Sequence, residues 1–249
     1  MIGFGALLNA LTIVVGAALG VLLGSKLPEK TNRTVAEALG IFSIIIGGFD
    51  VMALNNQYFV DEVHGPYTMV IVILAVLFGT IAGSLLKIET GLEKLGAWLH
   101  ARLQPKSADH AEGSHRFIAG FVNASLLMAI GPMAILGSLE DGLGLGAHTL
   151  TIKAILDGFA SIAFAASLGW GVAASALTVG AWEGLLTLMS SLGAGDIGEA
   201  YVSAITATGG VLMIAIGVRL MGIRAIAVAD LLPSLLLAPL FTWVAASFL

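Results

Sequence analysis

The sequence contains no cysteine and few charged residues: 11% of its 249 residues are Asp, Glu, Lys or Arg. Without cysteine there is no disulfide framework and no thiolate chemistry. Ordinary soluble domains carry roughly 25% charged residues, so the composition excludes an ordinary soluble enzyme. The net charge of -5, without a basic cluster among aromatic residues, argues against a nucleic-acid partner. The five histidines lack zinc-ligand spacing, and no motif predicts a metal or a cofactor.

What the sequence does contain is long apolar runs. Hydrophobic residues make up 58% of the chain, and the mean hydropathy is +0.99. A helix of about twenty apolar residues crosses the roughly 30 Å hydrocarbon core of a bilayer. The sequence therefore predicts an all-α polytopic membrane protein in the lipid bilayer, with seven or eight transmembrane helices. The eight runs are 2–24, 35–54, 66–86, 116–139, 149–168, 170–192, 198–221 and 230–249. The first lacks the basic region of a signal peptide and is read as a retained span.

Basic residues predict the orientation of these spans, because Lys and Arg in short loops stay cytoplasmic. Ten of the eleven basic residues fall in alternate connections, on one predicted side of the membrane. The opposite loops carry acidic residues but no Lys or Arg. Both termini are therefore predicted to lie outside. The eleventh basic residue, Lys153, lies inside the fifth span, near its outer end.

The connection between the third and fourth spans predicts a boundary between two halves of the protein. Residues 87–103 carry apolar side chains on one stripe at helical spacing, which is typical of an amphipathic helix on the cytoplasmic interface. The polar stretch that follows is the clearest linker. The predicted organisation is a first three-helix repeat with the interfacial helix at 1–103, a cytoplasmic linker at 104–114, a second three-helix repeat at 115–192 and two additional helices at 193–249.

The two halves resemble each other weakly, in the same order. Asn9-Ala10 in the first span corresponds to Asn123-Ala124 in the fourth, and the glycine pairs of the third and sixth spans also correspond. Because three spans precede the fourth, the second triplet must run in the opposite direction. This pattern predicts a 3+3 inverted-topology repeat, an architecture in which transporters bind substrate near the midplane.

The fourth span contains Gly131-Pro132, which predicts an interruption. Proline removes an amide donor and frees a carbonyl that needs another partner. The break is either part of a binding site or a packing kink. The G-x-x-x-G pairs Gly16/Gly20, Gly79/Gly83 and Gly180/Gly184 are interpreted as helix-packing surfaces.

Two acidic residues, Asp157 and Glu183, lie near the middle of the fifth and sixth spans. Ionisable groups at that depth cost about 2.5–3.5 kcal/mol on insertion scales and are functional candidates. Lys153 is one helical turn from Asp157 and can pair with it. Two carboxylates and one ammonium leave a negative centre, which a proton or a hard cation such as Na⁺ would neutralise. The alternative is a static Lys153-Asp157 pair beside a protonated Glu183.

Uncharged residues extend this candidate site. Asn9, Asn123 and the neighbouring Ser125 offer oxygen ligands or simple interhelical hydrogen bonds, and Thr206 and Thr208 offer hydroxyls or helix back-bonding. Pro132 joins them through the carbonyl that it frees. Four acidic residues near span ends are expected to be solvated: Asp50, Glu140, Asp141 and Asp230.

Five segments of the chain are distinctive: Leu7 to Glu29, Phe121 to Leu143, Lys153 to Phe159, Ala207 to Gly217 and Ala229 to Leu240, with G-P-M-A-I-L-G-S-L the most specific part. They resemble the YqgA/YdfK-like family of prokaryotic integral membrane proteins. The resemblance covers essentially the whole chain. It implies a multi-pass protein of the bacterial inner membrane whose function is not established, with a sodium channel or pump as the suggested activity.

These patterns together favour a transporter or channel for a small cation, Na⁺ or H⁺, with an acidic site near the midplane. The alternative is a non-transporting membrane scaffold or envelope-assembly protein that uses its glycine-rich faces for partners, as a homo-oligomer or with other chains. No hydrolase or P-loop motif occurs in the sequence, so no enzymatic activity is predicted.

Overall fold

A computed structural model describes residues 2–24, 28–103, 111–192 and 198–248. These residues form eleven α-helices, two short 3-10 helices and no strand. The α-helices are α1 (Phe4–Gly24), α2 (Glu29–Val51), α3 (Gln57–Glu62), α4 (Tyr67–Leu86), α5 (Ile88–Leu103), α6 (Ala111–Ile130), α7 (Pro132–Gly142), α8 (His148–Leu168), α9 (Gly171–Ser191), α10 (Glu199–Leu220) and α11 (Ser234–Phe248). The 3-10 helices are Met52–Asn55 and Val228–Leu231.

Seven continuous helical segments among the described residues are long and apolar enough to cross a membrane. They are Phe4–Gly24, Arg33–Asn55, Tyr67–Leu86, His148–Leu168, Gly171–Ser191, Glu199–Leu220 and Val228–Phe248. Many large apolar side chains on them are exposed, such as Leu85 and Phe159, as expected of helices that face lipid rather than water. The predicted class, an all-α polytopic membrane protein, is confirmed.

The remaining predicted span is broken where the sequence indicated. Gly113–Ile130 and Met133–Gly142 would form an eighth span if counted together, and they are bent by 63°. Pro132 begins α7, where its missing N–H leaves no interior hydrogen bond unmade. Proline also disfavours the helical conformation at the residue before it, which explains the bend at Gly131.

Two predicted connections are seen directly. Only Gly169 and Trp170 join α8 to α9, and Gly169 has φ 78°, a left-handed conformation that glycine adopts without strain. The predicted amphipathic segment is the helix α5; its position at the membrane interface stays a prediction. Of the predicted linker 104–114, residues 104–110 lie outside the described residues.

The chain forms two compact units. Unit 1 comprises Met1–Leu39, Gly91–Ala129 and Met133–Gly195, and unit 2 comprises Gly40–Thr90, Ile130–Pro132 and Asp196–Leu249. These units are defined by contacts and not by symmetry, so the inverted repeat and its domain boundaries stay predictions.

Unit 1 is built on the close packing of α1 along α8. A Cβ atom on Gly16, Gly20 or Gly24 would collide with the backbone of Gly158, Ile162 or Ala166 respectively. The numbers rise together on both helices, so α1 and α8 run in the same direction. In lipid, where no hydrophobic force drives helices together, small residues permit this close approach.

Unit 2 uses glycine in the same way. Gly47 of α2 lies against Gly210 of α10, and Gly79 of α4 lies against Ser234 at the start of α11. A buried apolar cluster joins α3, α4, α10 and α11, with Phe59 and Val63 fully buried in it. The predicted packing role is thus seen for Gly16/Gly20 and Gly79/Gly83, whereas a Cβ atom on Gly184 would meet nothing within 4 Å.

Candidate functional site

Three helices of unit 1, each long and apolar enough to span a membrane, bring four polar residues together. Lys153 and Asp157 lie on successive turns of α8, so they share one face of that helix. The parallel packing of α1 on α8 brings Asn9 beside them, and the short hairpin after α8 returns the chain so that Glu183 of α9 completes the group. We call Asn9, Lys153, Asp157 and Glu183 the four-residue cluster.

Hydrogen bonds and ion pairs connect all four members. Asn9 Nδ2 donates to Asp157 Oδ2 at 3.0 Å and to Glu183 Oε1 at 2.8 Å. Lys153 Nζ forms an ion pair with Asp157 Oδ2 and another, at 3.0 Å, with Glu183 Oε1. The predicted pairing of Lys153 with Asp157 is therefore present, and the same lysine also contacts Glu183.

The cluster is closed off from its surroundings. Asn9 and Glu183 are 0% exposed, and the side chains of Lys153 and Asp157 are 6% and 13% exposed. Charges removed from solvent are stabilised only by close partners. With all groups ionised, one ammonium and two carboxylates give the cluster a formal charge of -1, so its own members do not neutralise it.

Four buried side-chain oxygens have no hydrogen-bond partner among the described residues. Two belong to the cluster, Asn9 Oδ1 and Glu183 Oε2. Buried acceptors without partners are rare in proteins, and each one needs an explanation. Carboxylate, amide and hydroxyl oxygens are ligands that hard cations prefer, so these atoms are available to a cation or, at Glu183, to a proton.

Other predicted site residues of unit 1 lie outside this network. Asn123 and Ser125 are buried on α6; Ser125 shares a 2.6 Å hydrogen bond with Thr178 of α9, and Asn123 Oδ1 is another of the unpartnered oxygens. Among the described residues, no hydrogen bond joins either residue to the cluster. Pro132, which belongs to unit 2, is the first residue of α7, at the break.

The two predicted threonines belong to unit 2. Thr208 is fully buried, and its hydroxyl donates to the carbonyl of Ala204, one turn earlier on α10, at 2.8 Å. The Thr208 hydroxyl therefore bonds to its own helix, which was the alternative to a role as a cation ligand. Thr206 is half-buried on the same helix.

None of the four acidic residues expected to be solvated is exposed; Asp50 and Glu140 are half-buried, and the other two accept backbone hydrogen bonds. Asp141 is 3% exposed, and its Oδ2 accepts the backbone N–H of Gly5 in the first turn of α1 at 3.1 Å. Asp230 is half-buried and accepts the backbone N–H of Glu89 at 2.8 Å. Both carboxylates cap helix N-termini, where the helix dipole favours negative charge. Their span-end positions suggested solvent, because a partner 136 or 141 residues away leaves no local signal.

Sequence reasoning also missed Thr187. It lies one turn beyond Glu183 on α9, is 2% exposed, and its Oγ1 has no partner among the described residues. Its spacing of four residues from Glu183 was the available signal, because residues at that spacing are neighbours on one helix face.

Comparisons with known proteins identify relatives along the whole chain. A family described as "Protein of unknown function (DUF554)" matches residues 4–243. An "Uncharacterized membrane protein YdfK" of Bacillus subtilis (strain 168) is 26% identical over 245 residues, which cover 98% of each chain. An "Uncharacterized protein YqgA" of Escherichia coli (strain K12) is 27% identical over 247 residues, which cover 94% of each chain. No solved structure matches significantly. By the extent of these matches, this all-α membrane protein belongs to the DUF554 family of unknown function.

Proposed function

We propose that the protein carries a small monovalent cation, Na⁺ or H⁺, across the bacterial inner membrane through the four-residue cluster. The observation that carries the proposal is a buried centre of formal charge -1 with two unpartnered oxygens, Asn9 Oδ1 and Glu183 Oε2. An uncompensated charge in the bilayer is costly. A cation or proton that binds there removes the cost and satisfies the free oxygens.

The surroundings of the cluster support passage rather than permanent storage. Serine and threonine side chains continue along α9 on both sides of Glu183, with Ser175 and Thr178 before it and Thr187 and Ser190 after it. Ser175, Thr187 and Ser190 are buried. Hydroxyls in the membrane interior lower the barrier for an ion, because they replace part of its hydration shell. The broken pair α6 and α7 is the kind of interrupted helix found beside transporter sites.

The test is ion flux in proteoliposomes that contain the purified protein. We expect uptake of radioactive Na⁺, or a pH change reported by an enclosed dye, that depends on the protein. Asp157→Asn and Glu183→Gln should each lower the flux by at least about tenfold, because losing a charged partner costs roughly 1.5–3 kcal/mol. Asp61→Asn is the matched control, since it removes an exposed carboxylate on α3.

Unchanged flux in both site variants would exclude the cluster from the mechanism. If the wild-type protein carries neither ion, and pull-down after crosslinking yields a stoichiometric partner, the scaffold alternative is favoured. The glycine pairs Gly16/Gly20 and Gly79/Gly83, which that alternative assigns to partners, already pack within their own units.

A further inference from the structure

Lys153 forms ion pairs with two carboxylates, and the two pairs are positioned by different parts of the structure. Asp157 lies one turn from it on the same helix, so the backbone of α8 fixes that pair. Glu183 belongs to α9, and its contact with Lys153 depends on helix packing. The pair within α8 is therefore the more permanent one.

The fully buried oxygens without a partner lie on the Glu183 side of the cluster. Asp157 is 13% exposed and makes both of its contacts through Oδ2, whereas Glu183 Oε2 and Asn9 Oδ1 are buried and have no partner among the described residues. The side-chain amide of Asn9 and the carboxylate of Glu183 already meet at 2.8 Å through their other polar atoms. Thr187 adds a third unpartnered oxygen one turn along α9. Helices α1 and α9 thus contribute three buried oxygens without a partner among the described residues, one of them from the Glu183 carboxylate itself.

We infer that Glu183, Asn9 and Thr187 hold one monovalent cation, and that Lys153 sets this valence by neutralising Asp157. The inference rests on the proposed function and assigns separate roles within the same site. A divalent ion would leave the cluster with a formal charge of +1 in a low-dielectric setting, which is as costly as the empty charge of -1. Lys153 therefore excludes divalent cations without touching them.

The charged members of the cluster are Lys153 and Asp157 on α8 and Glu183 on α9, whereas α1 contributes the neutral Asn9. Helix α6, which also packs on α8 and α9, carries Arg116, and this side chain donates to the carbonyls of Ala166 and Ser167 near the end of α8. Asp141 of α7 lies one turn of α1 away, where the N-terminal amide of Gly5 compensates it. Among the described residues, no hydrogen bond or ion pair joins Asp141 to the cluster, so its carboxylate is not counted in the formal charge of the cluster.

This assignment predicts how charge-changing variants behave. Asp157→Asn leaves Lys153 to neutralise Glu183, which brings the cluster to zero, and Glu183→Gln also brings it to zero. Lys153→Met leaves two carboxylates and a charge of -2. The double variant Lys153→Met with Asp157→Asn returns the charge to -1 and keeps Glu183, Asn9 and Thr187.

The experiment measures binding of radioactive Na⁺ and Ca²⁺ to the purified full-length protein, together with Na⁺ flux in proteoliposomes. We expect Asp157→Asn and Glu183→Gln to weaken Na⁺ binding by at least about tenfold, and Lys153→Met to strengthen Ca²⁺ binding by at least about tenfold. The decisive result is rescue: the double variant should bind Na⁺ at least about tenfold more tightly than Asp157→Asn alone. Size-exclusion chromatography and thermal melting establish that each variant is folded.

A folded double variant that binds Na⁺ no better than Asp157→Asn would overturn the inference, because Lys153 or Asp157 would then be needed for more than its charge. A Lys153→Met variant that gains no Ca²⁺ binding would overturn the assignment of valence. If the wild type carries Na⁺ but the double variant does not regain Na⁺ binding, the proposed function is retained and the inference is rejected. If the double variant regains Na⁺ binding but the wild type carries no ion, the inference is retained and transport is rejected. Asn9→Leu, which removes a ligand without altering charge, should weaken Na⁺ binding without increasing Ca²⁺ binding.

Discussion

At the residue scale, three buried acidic side chains are stabilised in three different ways. Glu183 is paired incompletely, with Lys153 and Asn9 on one oxygen and nothing on the other. Asp141 is held by the amide of a helix N-terminus. Glu89 is fully partnered: Oε1 contacts Arg219, and Oε2 accepts the N–H of Ala229 at 2.7 Å. Of these three side chains, as the described residues show them, Glu183 is the one with a fully buried oxygen that has no partner.

The Glu89 network is therefore expected to support stability rather than transport. Arg219 also donates to the carbonyl of Ile226 at 3.3 Å, so the network joins α5, α10 and the segment after α10 within unit 2. Glu89→Gln removes the charge that Arg219 pairs with, and it should lower the free energy of unfolding by about 2 kcal/mol, the scale of a charged hydrogen bond. Thermal melting in detergent measures the change.

Glu93→Gln is the matched control for this prediction. Glu93 lies one turn along α5 and is exposed, so its substitution should leave the melting temperature unchanged. Equal melting temperatures for Glu89→Gln and the wild type would show that the ion pair adds nothing to stability. Ion flux by Glu89→Gln, measured below its melting temperature, should match the wild type.

At the element scale, the position of the cluster depends on the contact between α1 and α8. Glycine recurs every fourth residue on α1 at Gly16, Gly20 and Gly24, and each meets a backbone carbonyl of α8. A larger residue would separate the helices. Because Asn9 contacts Asp157 across the same interface, such a separation would also loosen the cluster.

We expect Gly20→Ala to destabilise the protein by about 1–3 kcal/mol, the usual cost of overpacking. The added Cβ would collide with the carbonyl of Ile162, and backbone cannot move aside as a flexible side chain can. Thermal melting and Na⁺ binding measure the two consequences, and both should decline.

Gly184→Ala is the control, since its Cβ would have open space and alanine favours a helix over glycine by up to about 1 kcal/mol. It should be neutral or slightly stabilising. If both alanine variants behave alike, close approach at Gly20 is not what holds α1 against α8.

At the scale of the whole molecule, the directions of the helices agree with the predicted alternation of spans. Spans one and five are predicted to cross in the same direction, and α1 and α8 do run parallel. Spans two and seven are predicted to cross in opposite directions, and Gly40 and Gly47 of α2 lie against Gly217 and Gly210 of α10 in reversed order. Which end faces the cytoplasm stays a prediction from basic residues.

The absence of cysteine provides a direct test of that orientation, because single cysteines can be introduced without a background. Gln57→Cys on α3 and Lys94→Cys on α5 replace exposed residues on opposite predicted sides. A membrane-impermeant maleimide added to intact spheroplasts should label the first and not the second, and permeabilised membranes should show both labelled. The reverse pattern would invert the topology without altering the fold.

The class, the approximate spans and the break at Gly131-Pro132 could all be predicted from the sequence. Composition, run length and proline geometry act locally, so neighbouring residues are enough to predict them. The pairing of Lys153 with Asp157 followed for the same reason, since four residues of helix bring them onto one face.

Which distant residues complete the site depends on how the helices pack, and the sequence did not predict it. Asn9 and Asn123 were equal candidates in the sequence, yet Asn9 lies 148 residues from Asp157 and 174 from Glu183 and contacts both. Asn9 joins the cluster because small residues let α1 approach α8 closely. A packing surface of small residues lacks the hydrophobic periodicity that identifies the buried face of a helix in a soluble protein, so the sequence did not reveal it. Local chemistry therefore predicted which charges enter the membrane, and helix packing decided which of their oxygens remain free.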